Sequence, residues 1–536
     1  MGKLIRFDDD ARNSLRRGVE QLTAAVRITL GPRGRNVVID HGSGVPTITN
    51  DGITVTREIE LENPFENLGV QFMREIAYKT AVAAGDGTTT ATVLAGSIVT
   101  NGLTAIASGL NPVGIKRGID RAVTTVVAEL RRQARSVESR DDIVKVATVS
   151  ARGDARIGEL IADAVERVGA HGVITVDEGR GLSTTLNVVE GTRLASGYVS
   201  PYFVTNADEM HAVLENAYVL LADLKLTQAQ QLLPALELAA RAGRPLFLVV
   251  DDIEGEALAT LVVNRLRGTV SSVAIRVPGA GLRRREMLED LAVLTGATLF
   301  SESAGNRVDR FTVTDFGRVG RVQSGSSATL LAQGGGDSES IRGRVEWLKG
   351  LTQQASAGAE RDWLAQRVAC IAGGIAVIEV GAATESERQE RKSLIEDSLS
   401  ATLSAVDEGI VTGGGVALLR AQPALAALKA SGAEGAGIEI LRKALEEPMR
   451  WIVENAGHDA PHIVAQVRGA TGPIGFDAVE GVICDLNAIG ILDSAKVTRC
   501  ALEFAASIGT ILLTTEALVV DSPPEQAEDE GEDHAA

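Results

Sequence analysis

The feature that most constrains this chain is a change of hydrophobic period that happens twice. From Asp9 to Leu30, the apolar residues Leu15, Val19, Leu22 and Val26 recur at helical spacing. A Gly31-Pro32 break follows. A short β pair is then predicted over Asn36–Ile39 and Thr47–Thr49, joined by the Gly42-Ser43-Gly44 turn. Long helical stretches run through Val70–Ala84, Thr88–Ser108 and Pro112–Ala134. From about Gly172 the pattern shortens. Val173–Val176, Leu246–Val250, Val273–Val277 and Ile375–Val380 read as buried strands, with a helix over Gly255–Arg267 between the second and third. Strand–helix–strand alternation predicts an α/β region with parallel pairing. A charged helical stretch covers Arg342–Val368, and helices dominate again from Ser386 to Val520. Helical ends around an α/β middle predict an insertion, in which the two ends of the chain build one domain together.

Other properties narrow the class. At 536 residues the chain exceeds what one core supports. Aromatics make up only 3%, so the cores rest on Ala, Val, Leu and Ile. The formal charge is −18 and no basic stripe occurs, which argues against nucleic acid as a partner. Cys370, Cys484 and Cys500 are scattered and form no CxxC pair. They indicate neither a disulfide framework nor zinc, and read as small buried residues in a reducing cytoplasm. Met1–Asp10 is polar and charged, unlike a signal peptide. No apolar run is read as approaching the roughly 18 residues that span a bilayer. A cytoplasmic protein with no membrane partner is therefore expected. The segment from Asp521 to Ala536 carries seven acidic residues and no Lys or Arg, and is expected to be a disordered tail.

The strongest chemical signal is Gly85-Asp86-Gly87-Thr88-Thr89-Thr90 leading into an apolar helix. Glycines allow close backbone approach, a helix start offers free N–H groups to phosphate, and an aspartate there suits Mg2+ between phosphates. Ordinary capping by Asp and Thr explains the same residues equally well. Leu30-Gly31-Pro32-Arg33-Gly34-Arg35 reads alone as a loop ending a helix. Asn50-Asp51-Gly52 reads first as a hairpin turn that also offers a carboxylate. Gly413-Gly414-Gly415 is a further, weaker candidate for close approach to a nucleotide. The chain has no GxxxxGK[ST] and no HExxH, and His458 and His462 read as surface or capping residues. Two apolar helical stretches in the middle, around Leu232–Leu238 and Leu258–Leu266, read by default as core.

Taken in order, these pieces resemble GroEL-type group I chaperonins. The resemblance rests on LGPRGRNVVID, TNDGITV, REIELENPFENLG, AGDGTTTATVLA, NPVGIKRGID, DIEGEALATLVVN, IAGGIAVIEVGAATE, DEGIVTGGGVALL, GILDSAKVTR and TTEALVVD, nearly collinear from Lys3 to Asp521. It implies a multi-domain α and α/β fold. A helical equatorial ATP-binding domain would take residues 1–132 and 408–520. A small intermediate hinge domain would take 133–189 and 375–407. An inserted α/β apical domain would take 190–374, with Gly191 and Gly373-Gly374 at its hinge. ATP contacts would fall on Leu30, Gly31, Pro32, Asp51, Gly52, Asp86, Gly87, Thr88, Thr89, Thr90, Ser150, Gly414, Ala478 and Asp493. Asp86 would hold Mg2+, and K+ is expected beside it. Asp397 would activate the attacking water, assisted by Asp51, once a hinge movement brings Asp397 in. Tyr198, Tyr202, Phe203, Leu233, Leu236, Leu258, Val262 and Val263 would form an apolar groove for non-native polypeptides and a GroES-type co-chaperonin. The chain would assemble with itself into rings, seven-membered and stacked in pairs.

The sequence departs from that family at several points. Asn50 stands where lysine is common, Ser196 and Leu394 where arginines tune allosteric switching, and Ala478-Val479 follows Asp477 where asparagine is common. The acidic end replaces Gly-Gly-Met repeats. An ATP-driven folding machine is the expectation, and an ATP-poor holdase or scaffold of the same fold is the alternative.

Overall fold

The computed structural model describes residues 2–40, 42, 46–168, 173–179, 181–206, 210–301, 310–355, 359–372 and 374–521. Gly373 and most of the expected acidic tail lie outside them, as does most of the Gly42-Ser43-Gly44 turn. The chain forms two compact units, residues 1–163 with 384–536, and residues 164–383. The first unit joins the two ends of the chain, as the periodicity predicted. Both cuts fall within the segments that the resemblance gives to the hinge domain.

The first unit is mainly helical. Asp8–Arg27 opens with three aspartates at its positive end and buries Leu15, Val19, Leu22 and Val26 on one face. Asn63 caps Pro64–Ala84 by accepting from the Phe65 N–H, with Pro64 in the first turn. Thr88–Ala107 and Ala495–Leu513 pack in the same core, which also holds Ile115, Ile119 and Leu441. Thr88–Ala107 is long and apolar enough to cross a bilayer by length and composition alone, contrary to the sequence reading. In this fold it is a core helix, most of its residues buried between neighbouring helices. The chain ends meet in a two-stranded sheet that the sequence reading missed. Lys3–Phe7 pairs antiparallel with Ala517–Asp521, and Lys3 Nζ lies 2.5 Å from Asp521 Oδ1.

The second unit is built on a nine-stranded mixed sheet. Leu246–Ile253 lies parallel to both Ala212–Leu226 and Ser272–Arg276, and Leu299–Ser301 is parallel to Ala212–Leu226. Gly374–Val380 pairs parallel with Val173–Glu178. The parallel pairing meets the α/β expectation, although Ala212–Leu226 and Leu299–Ser301 were not among the strands read from the sequence. The remaining pairings are antiparallel: Gly317–Ser324 joins Ala212–Leu226 to Thr329–Gly334, which continues to Thr185–Leu194 and Gly374–Val380. The strands 185–194, 317–324 and 329–334 are interrupted by polar residues and glycines, so they lack the long continuous apolar run that marks a buried parallel strand. The charged helical stretch read over Arg342–Val368 consists of two helices, Ser338–Gln354 and Ala359–Ala372. Arg367 is buried there and donates two hydrogen bonds to Asp290, 2.6 and 3.0 Å long, so its charge is paired. Among the cysteines, Cys500 is buried as expected, whereas Cys370 and Cys484 are only partly so; all three are free thiols.

Candidate functional site

A cavity of about 340 Å3 lies in the first unit, within the usual size of ligand pockets. Its walls come from segments distant in sequence. The loop Thr29–Pro32 leaves the first long helix and is tied down by Asn455, whose Nδ2 donates to Arg27 O and Leu30 O at 2.9 Å each. Opposite it, Asp51 is a helix cap and not the hairpin turn read from the sequence. It precedes Gly52–Glu58, and its carboxylate accepts from the N–H of Ile53 and from both the N–H and Oγ1 of Thr54. The Asx side chain satisfies the free N–H groups of a helix start, and a chain leaving a strand can use that cap as readily as a turn.

The Gly85–Thr90 loop does what its composition suggested. Gly85 ends the helix Pro64–Ala84 at φ +75°, and Gly87 opens the helix Thr88–Ala107 at φ +83°. Both conformations are disfavoured for residues with a Cβ. No side chain caps this helix, so its first N–H groups stay outside the intrahelical ladder. Gly52 lies so close to the loop that a Cβ there would stand 2.1 Å from Thr89 Oγ1. Asp86 is pinned by two donors: the Gly87 N–H at 2.5 Å and Ser150 Oγ at 2.7 Å.

The C-terminal arm completes the wall. Gly414 and Gly415 take positive φ before Val416–Ala421. Asp493 sits in Leu492–Ser494, opposite Val411 of Ile410–Thr412. Asp397 lies on Glu385–Glu408. That helix is anchored by Ser398 Oγ donating to Ala147 O at 2.7 Å and by Ser404 Oγ donating to Ala84 O at 3.0 Å. Asp397 thus already lines the cavity beside Asp86, without the hinge movement that its sequence distance implied. Leu30, Gly31, Pro32, Asp51, Gly52, Asp86, Gly87, Thr88, Thr89, Thr90, Ser150, Gly414, Ala478, Asp493 and Asp397 all border this one space.

The electrostatics are unusual for so small a volume. Burial raises the Asp86 carboxyl above its ordinary range, Asp51 adds to the rise, and the Ser150 and Gly87 hydrogen bonds oppose it. Burial, then the charges of Asp86 and Asp51, hold Asp397 well above the ordinary value. Burial and Asp86 push Asp493 up to about 6. Carboxylates gathered in this way repel one another and favour a cation or a proton among them. Among the described residues lining the cavity, Arg152 is the sole basic one. Sequence reading missed it, since a single arginine two places after Ser150 carries no motif. Leu394, Ile452, Phe476, Val479 and Ile491 supply apolar wall and were likewise not singled out as contacts.

The expected apolar groove maps to the second unit, and the structure divides its residues. Tyr202, Leu233 and Val263 are exposed, and Tyr198, Leu258 and Val262 are half-buried against the core. Phe203 and Leu236 are corrections to the sequence reading. Their side chains are buried in the core, Phe203 completely, because the short turn Pro201–Phe203 folds it inward. They support the surface and are not part of it. The neighbouring Leu266 is 65% exposed and extends the apolar face of Gly255–Leu266.

The model of the TCP-1/cpn60 chaperonin family matches residues 22–523. Two crystal structures of the chaperonin gp146 from the bacteriophage EL 2 (Pseudomonas aeruginosa), solved in the presence of ATP-BeFx, share the fold at 21% identity. Crystal form II aligns with a TM-score of 0.71 over 97% of this chain and 100% of that one. Crystal form I aligns at 0.64 over 97% and 99%.

Proposed function

This chain is a member of the TCP-1/cpn60 chaperonin family, and on that premise we propose that it is a group I, ATP-driven folding machine. It captures non-native polypeptides on an apolar face and encloses them in a ring cavity as ATP binds and is hydrolysed. The observation that carries this reading is the convergence of Asp51, Asp86, Thr88–Thr90, Asp397 and Asp493 on one cavity from both arms of the chain. Residues 1–132 and 408–520 would act as the equatorial domain, 133–189 and 375–407 as the hinge domain, and 190–374 as the apical domain.

The cavity suits a nucleotide triphosphate with its metal. The uncapped start of Thr88–Ala107 offers N–H groups to phosphate oxygens. Among the described residues, no three His, Cys, Asp or Glu side chains form a metal cage. Mg2+ held between phosphates needs only one or two carboxylates, and Asp86, already oriented by Ser150 and Gly87, would be that ligand. Bound there, the ion would neutralise phosphate charge; K+ is proposed nearby. Asp397 would accept a proton from the attacking water, a role for which a raised carboxyl pKa is suited. Asp51, held by Thr54, would help to align that water. Glycines at Gly31 and Gly414 let the backbone approach the nucleotide, and the apolar side chains would pack its base.

The exposed Tyr202, Leu233 and Val263 would bind unfolded chains, with Tyr198, Leu258 and Val262 behind them, and a GroES-type co-chaperonin would compete for the same face. Self-assembly into stacked seven-membered rings and a cytoplasmic location complete the proposal. Mass photometry with and without Mg-ATP, with an ATPase assay on the same sample, tests it. A large ring with turnover is expected. Small oligomers with negligible turnover would refute the folding machine and leave a holdase or scaffold.

A further inference from the structure

Arg152 stands apart from every other residue of the cavity. It follows the helix Arg140–Ser150 in a turn whose Arg152 N–H donates to Val149 O and whose Gly153 N–H donates to Thr148 O. Its φ is +56°, a left-handed conformation that residues with a Cβ rarely adopt. Glycine would hold this turn without strain, and Gly153 beside it also has positive φ. A bulky residue kept in such a conformation at the edge of a cavity is a candidate for a role that a glycine cannot fill. The side chain is also directed: Nη1 donates to Asn50 Oδ1 across the cavity rim, between segments 102 residues apart. Asp51, Asp86, Asp397 and Asp493 give the lining its negative charge, and Arg152 is its sole basic group among the described residues. Its charge acts on both Asp86 and Asp397.

We propose that Arg152 is the phosphate-binding cation of this site, held by Asn50 so that its guanidinium meets the terminal phosphate of the nucleotide. The inference rests on the nucleotide reading above. The terminal phosphate is chosen because Arg152 stands by Asp397, the group assigned to the attacking water. The uncapped N–H groups at the start of Thr88–Ala107 would serve the rest of the phosphate chain. Guanidinium suits this task, since it is always charged and pairs with two phosphate oxygens at once. Asn50 supplies a neutral acceptor that orients the group without neutralising it.

The test is calorimetric binding of Mg-ATP and Mg-ADP to the full chain carrying Arg152→Gly, which suits the backbone. The variant should keep or raise the thermal midpoint. Its affinity for ATP should fall about tenfold to a hundredfold, the size of a charge-assisted contact, while ADP affinity changes by about threefold or less. Position 50 lines the same rim, so the double variant Arg152→Gly/Asn50→Lys should recover most of the ATP affinity. Equal losses for ATP and ADP, or no rescue by Lys, would make Arg152 a structural clamp and overturn the inference. Unchanged ATP affinity would overturn it too. A wild-type chain that binds neither nucleotide would overturn the nucleotide reading and, with it, this inference.

Discussion

The substitution Asp493→Asn should stabilise the nucleotide-free protein, and the effect should disappear at low pH. Asp493 lies in the cavity wall and accepts a hydrogen bond from the Gly414 N–H. Its carboxyl is pushed from the ordinary 3.8 up to about 6, first by burial and second by Asp86. An acid whose pKa is raised on folding holds its proton more tightly in the folded chain than in the unfolded one. Stability therefore declines as pH rises from about 4 to about 6, and the whole penalty persists above that range. A gap of about two pH units corresponds, at 1.36 kcal/mol each, to roughly 3 kcal/mol. Water reaching the cavity screens part of it, so a gain of about 1–3 kcal/mol is expected from Asn at pH 8. The amide oxygen can still accept from Gly414, which keeps the local geometry.

Differential scanning fluorimetry of both proteins from pH 4.5 to 8 reads the difference. A rise of roughly 3–6 °C at pH 8, shrinking towards zero near pH 4.5, is the expected result for a unit of this size. Added Mg-ATP should raise the wild-type midpoint more than the variant's, because the charge that penalises the empty cavity serves the ligand. A variant less stable than wild type at every pH, by a constant amount, would refute the reasoning and make Asp493 a structural hydrogen-bonding residue.

Other expectations follow from the same geometry. Asp397→Ala should lower ATP turnover about a hundredfold or more while calorimetric ATP affinity stays within a fewfold; an unchanged rate would remove Asp397 from the chemistry. Gly85→Ala should destabilise the protein by about 2 kcal/mol or more, since φ is +75° and the new Cβ would stand 2.0 Å from Ser400 Cβ; thermal unfolding checks it. Phe203→Ala should lose about 3–5 kcal/mol of stability, as a buried core residue does. Leu233→Ser, on an exposed side chain, should leave the thermal midpoint nearly unchanged but weaken capture of a chemically unfolded client, as measured by suppression of its aggregation.

What could be read from the sequence depended on how local the signal was. The helix Asp8–Arg27, the Gly85–Thr90 loop and the strand Leu246–Ile253 announce themselves through neighbours a few residues away. The pairing of Lys3–Phe7 with Ala517–Asp521 spans the whole chain, and nothing near Leu4 or Ile5 marks its partner. The three antiparallel strands of the second unit hid for another reason: broken by polar residues and glycines, they look like loops beside continuous apolar runs. At the site, carboxylates and glycines were legible through a collinear resemblance. Burial was not, so Phe203 and Leu233 looked alike until the fold separated them. Arg152 was invisible because its meaning depends on reach. An arginine after a helix is ordinary until its side chain crosses to Asn50.

The positive-φ glycines Gly31, Gly87, Gly153, Gly414 and Gly415 gather at the cavity that also holds Asp86, Asp397 and Asp493. Each feature alone lowers stability: left-handed backbone through lost conformational freedom, buried carboxylates through desolvation and mutual repulsion. Their concentration in one place means that the surrounding helices over-determine the site. The Ser398 and Ser404 hydroxyls, bonded to Ala147 O and Ala84 O, tie the helix carrying Asp397 to Arg140–Ser150 and Pro64–Ala84. A cation–phosphate ligand would relieve the repulsion without relaxing the backbone. Binding free energy would then be recovered as stability of the first unit. Because both arms of the chain line the cavity, the same ligand would also clamp the two arms together, a coupling that neither arm could supply alone.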